Sequence, residues 1–467
     1  MSIQNLLKTL KTVKGNRQSN PSSKPILEII STILAPAPSD SVATSLISQL
    51  NPHGLRSILS DPNLGSSECF HFFDFVLKNQ SLVSFKPDLQ AHLTVICRLL
   101  KERMFSDAER LLKTVSIDSN CCYPFAVIAS TVENCCRERK VKVKFFNFMM
   151  AMYSNNGFFD SVSEIFSYMK NNGIKIDEKT CTVHLLALKG SDQIHLASNF
   201  FNLMLESGLD VSVYSLTVVV DILCGNGELK RGRELVEEML GRGIKPNIIT
   251  FNVMVSACAK RWNFEELDLI LILMEKVGVR FDTNTYKLLI DGFSSSGRNE
   301  KAEKMVRKMH EEGFKVDSHL YNLIVRSYCK TGTIQSACSL FDEMNERNVA
   351  PNSDTYWVLI DGLCKIGDMG LAMEYANRMQ SKGIEMDDPM FTTLVDGFCN
   401  KGMVNEAMEL QVMMANDGYQ ANQSVCENIF VELCKLNRIE EAKMLLNILA
   451  KRGADLSRLV PATSIDS

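Results

Sequence analysis

Four lysines recur at one phase of a 35-residue period and could contact phosphate groups. They are Lys260, Lys330, Lys365 and Lys435. Lysines in phase along one side of a molecule form a basic stripe even when the total charge is negative, here −4. The same spacing also fits the C-terminal ends of helices, where the helix dipole favours cations. Both interpretations stay open, and the net charge does not itself indicate a nucleic-acid partner.

The fifteen cysteines do not form a metal site. No C-x-x-C pair occurs, and the adjacent pairs Cys121–Cys122 and Cys135–Cys136 are poorly placed to share a zinc ion. Several cysteines instead share one position of the 35-residue period: Cys224, Cys329, Cys364, Cys399 and Cys434. This pattern predicts small, buried, apolar residues and free thiols in a reducing compartment.

No catalytic motif is found. His310-Glu311-Glu312 has the H-x-E form of zinc deaminases, but no P-C-x-x-C sequence follows it. The phosphate-binding G-x-x-x-x-G-K-[ST] sequence and the nucleophile elbow are also missing. We therefore predict that the chain is not an enzyme and uses no cofactor and no metal.

The period itself indicates the architecture. The methionines at 35-residue intervals are Met169, Met204, Met239, Met274, Met309, Met344, Met379 and Met414, and glycines keep the same interval except where Asn348 replaces one. A fixed period of this length is typical of stacked supersecondary repeats. Nine repeats tile the chain without insertion: 143–177, 178–212, 213–247, 248–282, 283–317, 318–352, 353–387, 388–422 and 423–457.

Each repeat is predicted to be a helical hairpin. In repeat 318–352, apolar residues mark one helical face, Thr331-Gly332 interrupts it, a second face follows, and Pro351 ends the pattern. In-phase glycines such as Gly332 would cap the first helix in a left-handed conformation. In-phase alanines such as Ala337 would let two helix axes approach closely. The predicted fold class is all-α, a solenoid of αα-hairpins.

These repeats resemble the pentatricopeptide repeat. The resemblance rests on the sequences YNLIVRSYCKTG, YKLLIDGFSSSG, YWVLIDGLCKIG and FTTLVDGFCNKG, followed by second helices that end in Met and by linkers such as GIKPN. It covers about two thirds of the chain, and the uniform 35-residue length is similar to the P class. The resemblance implies a right-handed superhelix that binds single-stranded RNA without catalysis.

The segments outside the repeats are assigned by composition. Residues 1–27 contain five basic residues and no acid, which favours an organelle transit peptide; an ordinary disordered tail is the alternative. Residues 28–142 are predicted to be a degenerate helical capping region, with one irregular repeat beginning near Leu89 and a further helix within 121–142. Residues 458–467 form a tail. No stretch approaches the twenty apolar residues of a membrane span.

The family resemblance implies that the fifth and last residues of each repeat read one base. We call these two residues a reading pair. Asn with Asp implies uridine, Thr with Asn implies adenosine, Asn with Asn a pyrimidine and Thr with Ser a purine. The pairs are Asn147 with Asp177 and Asn252 with Asp282 (uridine), Thr217 with Asn247 and Thr392 with Asn422 (adenosine), Asn322 with Asn352 (pyrimidine), and Thr182 with Ser212 (purine).

Other positions depart from the family pattern. No base is implied by Lys287 with Asp317, Trp357 with Asp387 or Glu427 with Ser457. Lys287 could contact phosphate and Trp357 could stack on a base, or they are an exposed lysine and a partly buried tryptophan. The second residue of each repeat is aliphatic in the family, but here only Ile249 fits among Lys144, Lys179, Tyr214, Ile249, Asn284, His319, Asp354, Pro389 and Ser424.

These observations predict a sequence-selective single-stranded RNA-binding protein that acts in organellar transcript processing, splicing, stability or translation. The implied target is 5′-U-purine-A-U-N-Y-N-A-3′. The lysine-rich leader favours the mitochondrion, with the chloroplast as the alternative. Its partners would be organellar RNA and other RNA-processing proteins, with no membrane and no small-molecule substrate. The rival function is a protein-binding scaffold in an organellar complex, favoured by the irregular second positions and the net acidity.

Overall fold

The computed structural model describes residues 50–117, 123–416 and 423–451. Within these ranges the regular structure is helical. None of the helices in these ranges has the length and apolar character needed to cross a bilayer. The chain divides into an N-terminal body, Met1–Ile222, and a C-terminal body, Leu223–Ser467. The predicted transit peptide and the tail 458–467 lie outside the described residues, and the superhelical handedness stays a prediction.

Five helices precede the repeats in the part of the chain that begins at residue 50. They are α1 Pro52–Leu59, α2 Ser66–Lys78, α3 Leu89–Lys101, α4 Phe105–Ser116 and α5 Phe125–Cys135, with a short 3-10 turn at Gln80–Leu82. Helices α3 and α4 pack together as the irregular hairpin expected from Leu89 onward. Ala108 is fully buried at the close-approach position of that hairpin.

In the described residues, nine helical hairpins follow. The first helices are α6 Arg139–Asn155, α8 Glu178–Gly190, α10 Val213–Gly225, α12 Ile248–Lys260, α14 Thr283–Ser295, α16 Ser318–Thr331, α18 Ser353–Ile366, α20 Asp388–Asn400 and α22 Gln423–Lys435. The second helices are α7 Phe159–Asn171, α9 Ile194–Glu206, α11 Leu229–Gly241, α13 Phe264–Val277, α15 Asn299–Glu311, α17 Ile334–Glu346, α19 Met369–Ser381, α21 Val404–Asn416 and α23 Ile439–Lys451.

Helix α6 differs from the other first helices. The predicted repeat begins at Val143, but the helix begins at Arg139, so part of the basic segment before the repeat forms an additional first turn. All other first helices begin at the first residue of their repeat.

Capping by the last residue of a repeat fixes these starts. The Asp282 carboxylate accepts a hydrogen bond from the Thr285 N–H at 2.7 Å, and the Asn352 side chain accepts one from the Thr355 N–H at 3.0 Å. The Asp387 carboxylate does the same for the Met390 N–H at 3.0 Å. Asp and Asn are preferred at this position because they satisfy the unpaired amides of the first turn. The last residue therefore has a structural reason to be Asp or Asn that is independent of any ligand.

Side chains from both helices of each hairpin fill the core. The in-phase methionines from Met169 to Met379 and the in-phase alanines from Ala197 to Ala407 are fully buried, which confirms their predicted packing role. The in-phase cysteines follow the prediction only in part, because Cys329 and Cys434 are half-buried.

In the C-terminal body the first helices form one layer. Successive first helices from α12 to α22 pack directly against one another, whereas most second helices pack chiefly against first helices. Glycines on the first helices permit this approach: a Cβ at Gly292 would lie 2.5 Å from the Ala259 Cβ, and one at Gly362 would lie 2.6 Å from the Cys329 Cβ. We call the surface formed by the first helices the first-helix layer.

The turn inside each hairpin requires a left-handed residue. Glycine occupies this position in most repeats, for example Gly297 with φ +75°. Asp192 and Asn437 take it at φ +59° and +57°, and Trp262 takes it at φ +55°. Asp and Asn tolerate this conformation, whereas a bulky aromatic residue adopts it at a cost of about 1–2 kcal/mol.

Replacing Trp262 by glycine is therefore expected to stabilise the protein by about 1 kcal/mol. The Trp262 ring is exposed and donates only a long hydrogen bond, 3.4 Å, to the Ser295 hydroxyl, so little packing is lost. Urea denaturation measures the change. Gly297→Ala, at the same turn of the next repeat, is the matched control and should lower stability. A loss of stability in Trp262→Gly would show that the ring contributes more than the backbone strain costs.

Candidate nucleic-acid interface

In several repeats the fifth residue, near the start of the first helix, contacts the last residue, which lies at the start of the next first helix. The Asn252 amide donates to the Asp282 carboxylate at 3.1 Å, and the Asn322 amide approaches the Asn352 side-chain oxygen at 3.5 Å. In repeat 283–317 the Lys287 ammonium lies 3.2 Å from the Asp317 carboxylate. In these three repeats, residues 30 apart in sequence thus form a polar rung, because the chain returns to the first-helix side after each hairpin.

Repeat 248–282 contains the most complete rung. The Thr285 hydroxyl lies 2.7 Å from the Asn252 side-chain oxygen and 2.8 Å from an Asp282 oxygen. Burial acts to raise the pKa of Asp282, but hydrogen bonds from Thr285 and Asn252 outweigh it and the pKa is lowered. The rung is therefore ionised at neutral pH and is held in place by Thr285, a residue outside the reading pair.

Asn147 is used differently from Asn252. Its amide donates to the backbone carbonyls of Val143 and Lys175 at 2.8 and 3.0 Å, and its oxygen accepts the Asp177 N–H at 2.8 Å. Its side chain is buried. Both amide hydrogens are thus engaged within the protein, so Asn147 positions the linker and Asp177 is the exposed member of this pair.

Repeats 318–352 and 353–387 contain buried polar atoms without partners. The Asn322 side-chain oxygen and the Trp357 ring nitrogen are both buried, with no hydrogen bond. The Arg326 guanidinium lies 5.6 Å from the centre of the Trp357 ring. Arginine on an aromatic face is a favourable cation–π arrangement. Trp357 is half-buried, and Arg326 lies against its ring. Stacking of Trp357 on a base stays a prediction.

The remaining reading residues differ in their burial and in their hydrogen-bond partners. Thr217 and Thr392 are half-buried, and their hydroxyls donate to the carbonyls of Val213 and Asp388 at 2.8 Å. Asn247 accepts the Thr250 N–H at 3.1 Å as a cap and is exposed. Glu427 is half-buried. Asn422 and Ser457 lie outside the described residues. Thr182 and Ser212 do not bond directly but are linked through Glu178.

The second residues of the repeats are exposed on the first helices. Tyr214 and Ile249 are 61% and 60% exposed, which is unusual for large apolar side chains. The other described second residues are exposed as well: Lys144, Lys179, Asn284, His319, Asp354 and Pro389. In each body the second residues are therefore exposed side chains of varied chemistry.

The four in-phase lysines are exposed at the ends of first helices. Lys260 is the last residue of α12 and Lys435 the last of α22, while Lys330 and Lys365 are one residue from the ends of α16 and α18. Lys365 pairs with Asp361 at 2.6 Å and Lys435 with Glu432 at 2.8 Å. The position agrees with the helix-terminus interpretation, and the two ion pairs reduce the positive charge that this row offers to phosphate.

The described cysteines are free thiols. Burial raises the pKa of Cys181, Cys258 and Cys364 to about 12, which makes them unreactive. A hydrogen bond with Cys97 instead lowers the pKa of Cys136 to about 7. In the described ranges, no group of three or more His, Cys, Asp or Glu side chains is arranged to hold a metal ion. His310 of the H-x-E sequence bonds to the Tyr321 hydroxyl at 3.1 Å, a contact between neighbouring hairpins.

His184 predicts a pH dependence of stability. It is buried against the Phe200 ring and bonds to the Ser154 hydroxyl at 3.0 Å, and burial lowers its pKa from 6.5 to about 4. The unfolded chain binds this proton at higher pH than the folded protein, so stability should fall by about 3 kcal/mol as the pH drops from 6.5 to 4. Urea denaturation across this range measures the slope.

The control for this prediction is His319→Gln, since His319 is exposed. His184→Gln should flatten the slope between pH 6.5 and 4, whereas His319→Gln should leave it unchanged. An unaltered slope in His184→Gln would contradict the assignment to His184.

The fold defines a helical-repeat protein, and comparisons with known proteins identify the family. A model described as PPR repeat matches residues 145–174, 249–279 and 284–314, and one described as PPR repeat family matches 211–260 and 316–365. A model described as pentatricopeptide repeat-containing protein matches 362–466. Together these matches cover more than half of the chain. The chain belongs to the pentatricopeptide repeat family.

Part of the chain is similar in sequence to a known relative. A pentatricopeptide repeat-containing protein of Arabidopsis thaliana is 36% identical over 155 residues, which are 32% of this chain and 24% of that relative. The matched segment thus spans about a quarter of the relative's length.

Two solved structures are also similar. The pentatricopeptide repeat protein PPR10, in complex with an 18-nucleotide psaJ RNA element, has a TM-score of 0.43 at 20% identity, covering 91% of this chain and 60% of that one. Yeast Rmd9p, in complex with a 16-nucleotide target RNA, has a TM-score of 0.33 at 12% identity, covering 92% and 97%.

Proposed function

We propose that this protein binds single-stranded RNA along the first helices, one nucleotide per repeat, and does not catalyse a reaction. The observation that carries the proposal is the repeated contact between the fifth and last residues, as in Asn252 with Asp282 and Asn322 with Asn352. Pentatricopeptide repeats read one base through two or three side chains per repeat. A polar rung of this kind suits bases whose Watson–Crick edges are free, because each edge needs its own donors and acceptors.

The exposed second residues support a stacking or packing role beside each base. Tyr214 and Ile249 offer large apolar surfaces to a base, and Lys144 and Lys179 offer charge to a phosphate. We propose that the nine 35-residue repeats belong to the P class and that the protein acts on organellar transcripts in processing, splicing, stability or translation. The basic leader 1–27 supports a mitochondrial location, with the chloroplast as the alternative.

Binding of random single-stranded RNA by the full-length protein tests the proposal. The observed binding constant should fall with salt concentration, with a logarithmic slope of about −0.7 for each phosphate neutralised. Fluorescence anisotropy with labelled RNA at several salt concentrations measures this slope. Duplex RNA of the same length is the control and should bind more weakly, because its base edges are paired. Absence of salt-dependent binding to single strands would contradict RNA binding.

One observation favours the rival function of a protein-binding scaffold. Leu269 and Ile272 are exposed one turn apart on α13, a second helix. Adjacent exposed apolar residues are typical of protein-binding surfaces. Under this alternative, neither the native protein nor Ile272→Lys would bind RNA. Partner proteins would co-purify from organelles with the native protein but not with Ile272→Lys.

A further inference from the structure

Glu178 lies between the two reading residues of repeat 178–212. It is the first residue of α8, one turn before Thr182. Its Oε1 accepts hydrogen bonds from the Ser212 hydroxyl at 2.6 Å and from the Ser212 N–H at 3.3 Å. The Thr182 hydroxyl, at 3.3 Å, and the Ser215 hydroxyl donate to the same oxygen. The rung of this repeat is therefore centred on a carboxylate that is not part of the reading pair.

This carboxylate changes what the rung offers to a base. The Ser212 and Ser215 hydroxyls donate to Oε1. The single Thr182 hydroxyl proton is shared between Oε1 and the Glu178 carbonyl, at 3.3 and 3.0 Å, and the Thr182 oxygen lies 2.6 Å from the Ser215 hydroxyl. Among the described residues no hydrogen bond reaches Glu178 Oε2. A hydroxyl whose proton is already engaged presents only lone pairs, and an ionised carboxylate is only an acceptor. The rung thus presents acceptors and no free donor.

The carboxylate is charged at neutral pH. Burial acts to raise the pKa of Glu178, but the hydrogen bonds from Ser212, Ser215 and Thr182 outweigh burial, and the pKa lies below its ordinary value. Glu178 is itself half-exposed, whereas Thr182 is buried beside it. A ligand therefore meets the carboxylate rather than the threonine hydroxyl.

We propose that Glu178 is a third specificity residue of repeat 178–212 and that this repeat selects guanine. The inference rests on the proposed RNA-binding function. Guanine has two neighbouring N–H donors on its Watson–Crick edge, at N1 and N2, and they match a surface made of the free Oε2 and the lone pairs of the engaged hydroxyls. Adenine and cytosine place an acceptor beside their amino group, and uracil has one N–H between two carbonyls. These acceptors would face a negative charge, so the three other bases bind less well.

Sequencing of RNAs bound from a randomised single-stranded pool tests the proposal, with the full-length protein and Glu178→Gln. Glutamine has the same shape but carries an amide donor and no charge. Glu164→Gln, an exposed acid on α7 in the preceding hairpin, is the control for the same loss of charge. A substitution in the rung of repeat 248–282 should alter the base two letters downstream. That change identifies independently which letter of the motif belongs to repeat 178–212. Thermal denaturation checks that all variants are folded.

We expect guanine at this letter for the native protein and for Glu164→Gln, and a loss of about tenfold in that preference for Glu178→Gln. Anisotropy with four RNAs that differ only at this letter measures the ratio. Another base in the native motif, or the same guanine preference in Glu178→Gln, would overturn the proposal while RNA binding itself stands. Enrichment of no RNA by any form would instead overturn the proposed function.

Discussion

Replacing Arg233 by methionine should lower the free energy of unfolding by about 3 kcal/mol. The Arg233 guanidinium on α11 contacts Glu266 on α13 at 2.5 Å, and both side chains are largely buried, at 14% and 10% exposure. Arg233 also contacts Glu237 at 2.8 Å. Methionine would fill part of the space but leave the Glu266 carboxylate buried without a charged partner. Urea denaturation followed by circular dichroism measures the loss.

The controls use neighbouring and paired substitutions. Arg242→Met, just beyond the end of the same helix, removes the exposed contact with Glu238 at 2.9 Å and should cost less than about 1 kcal/mol. The double variant Arg233→Met with Glu266→Leu should recover much of the stability, because no buried charge remains. Equal losses of unfolding free energy in Arg233→Met and Arg242→Met would show that the buried contact contributes no more stability than the exposed one.

Exchanging the rung of repeat 248–282 for that of repeat 213–247 should change one letter of the bound RNA. The change is Asn252→Thr with Asp282→Asn, which reproduces the pair Thr217 with Asn247. We expect the preferred base at this letter to change from uridine to adenosine, by about tenfold or more, since a matched base contact contributes about 1–3 kcal/mol. Sequencing of RNAs bound from a randomised pool, then anisotropy on the two RNAs, measures the change.

The design of this exchange protects the fold. The asparagine introduced by Asp282→Asn would still cap α14, as Asn247 and Asn352 cap their helices at 3.1 and 3.0 Å. Asp282→Asn alone is the control, since it removes the charge but keeps the amide of Asn252 in place. A motif that changes at several letters, or at none, would show that this pair does not read one base.

The structure also explains why the identity of a residue is an incomplete guide to its role. Asn147 and Asn252 are equivalent in the sequence, yet Asn147 donates both amide hydrogens to backbone carbonyls while Asn252 bonds to Asp282 and Thr285. Where a described repeat ends in Asp or Asn, as at Asp282 and Asn352, that residue is also the cap of the next helix. Periodicity at this position therefore reports capping as well as any recognition of bases.

The sequence by itself determined the repeat length, the hairpin architecture and the starts of the first helices other than α6, because these depend on local properties. Apolar side chains at helical spacing, a capping residue every 35 positions and a glycine or its substitute in each turn act within one hairpin. The tertiary structure decided the rest, since it depends on neighbours that the period does not specify. Packing between adjacent hairpins brings Glu178 to Ser212 and Thr285 to Asn252, and places Gly292 against Ala259. Which rungs are open to a base follows from those contacts.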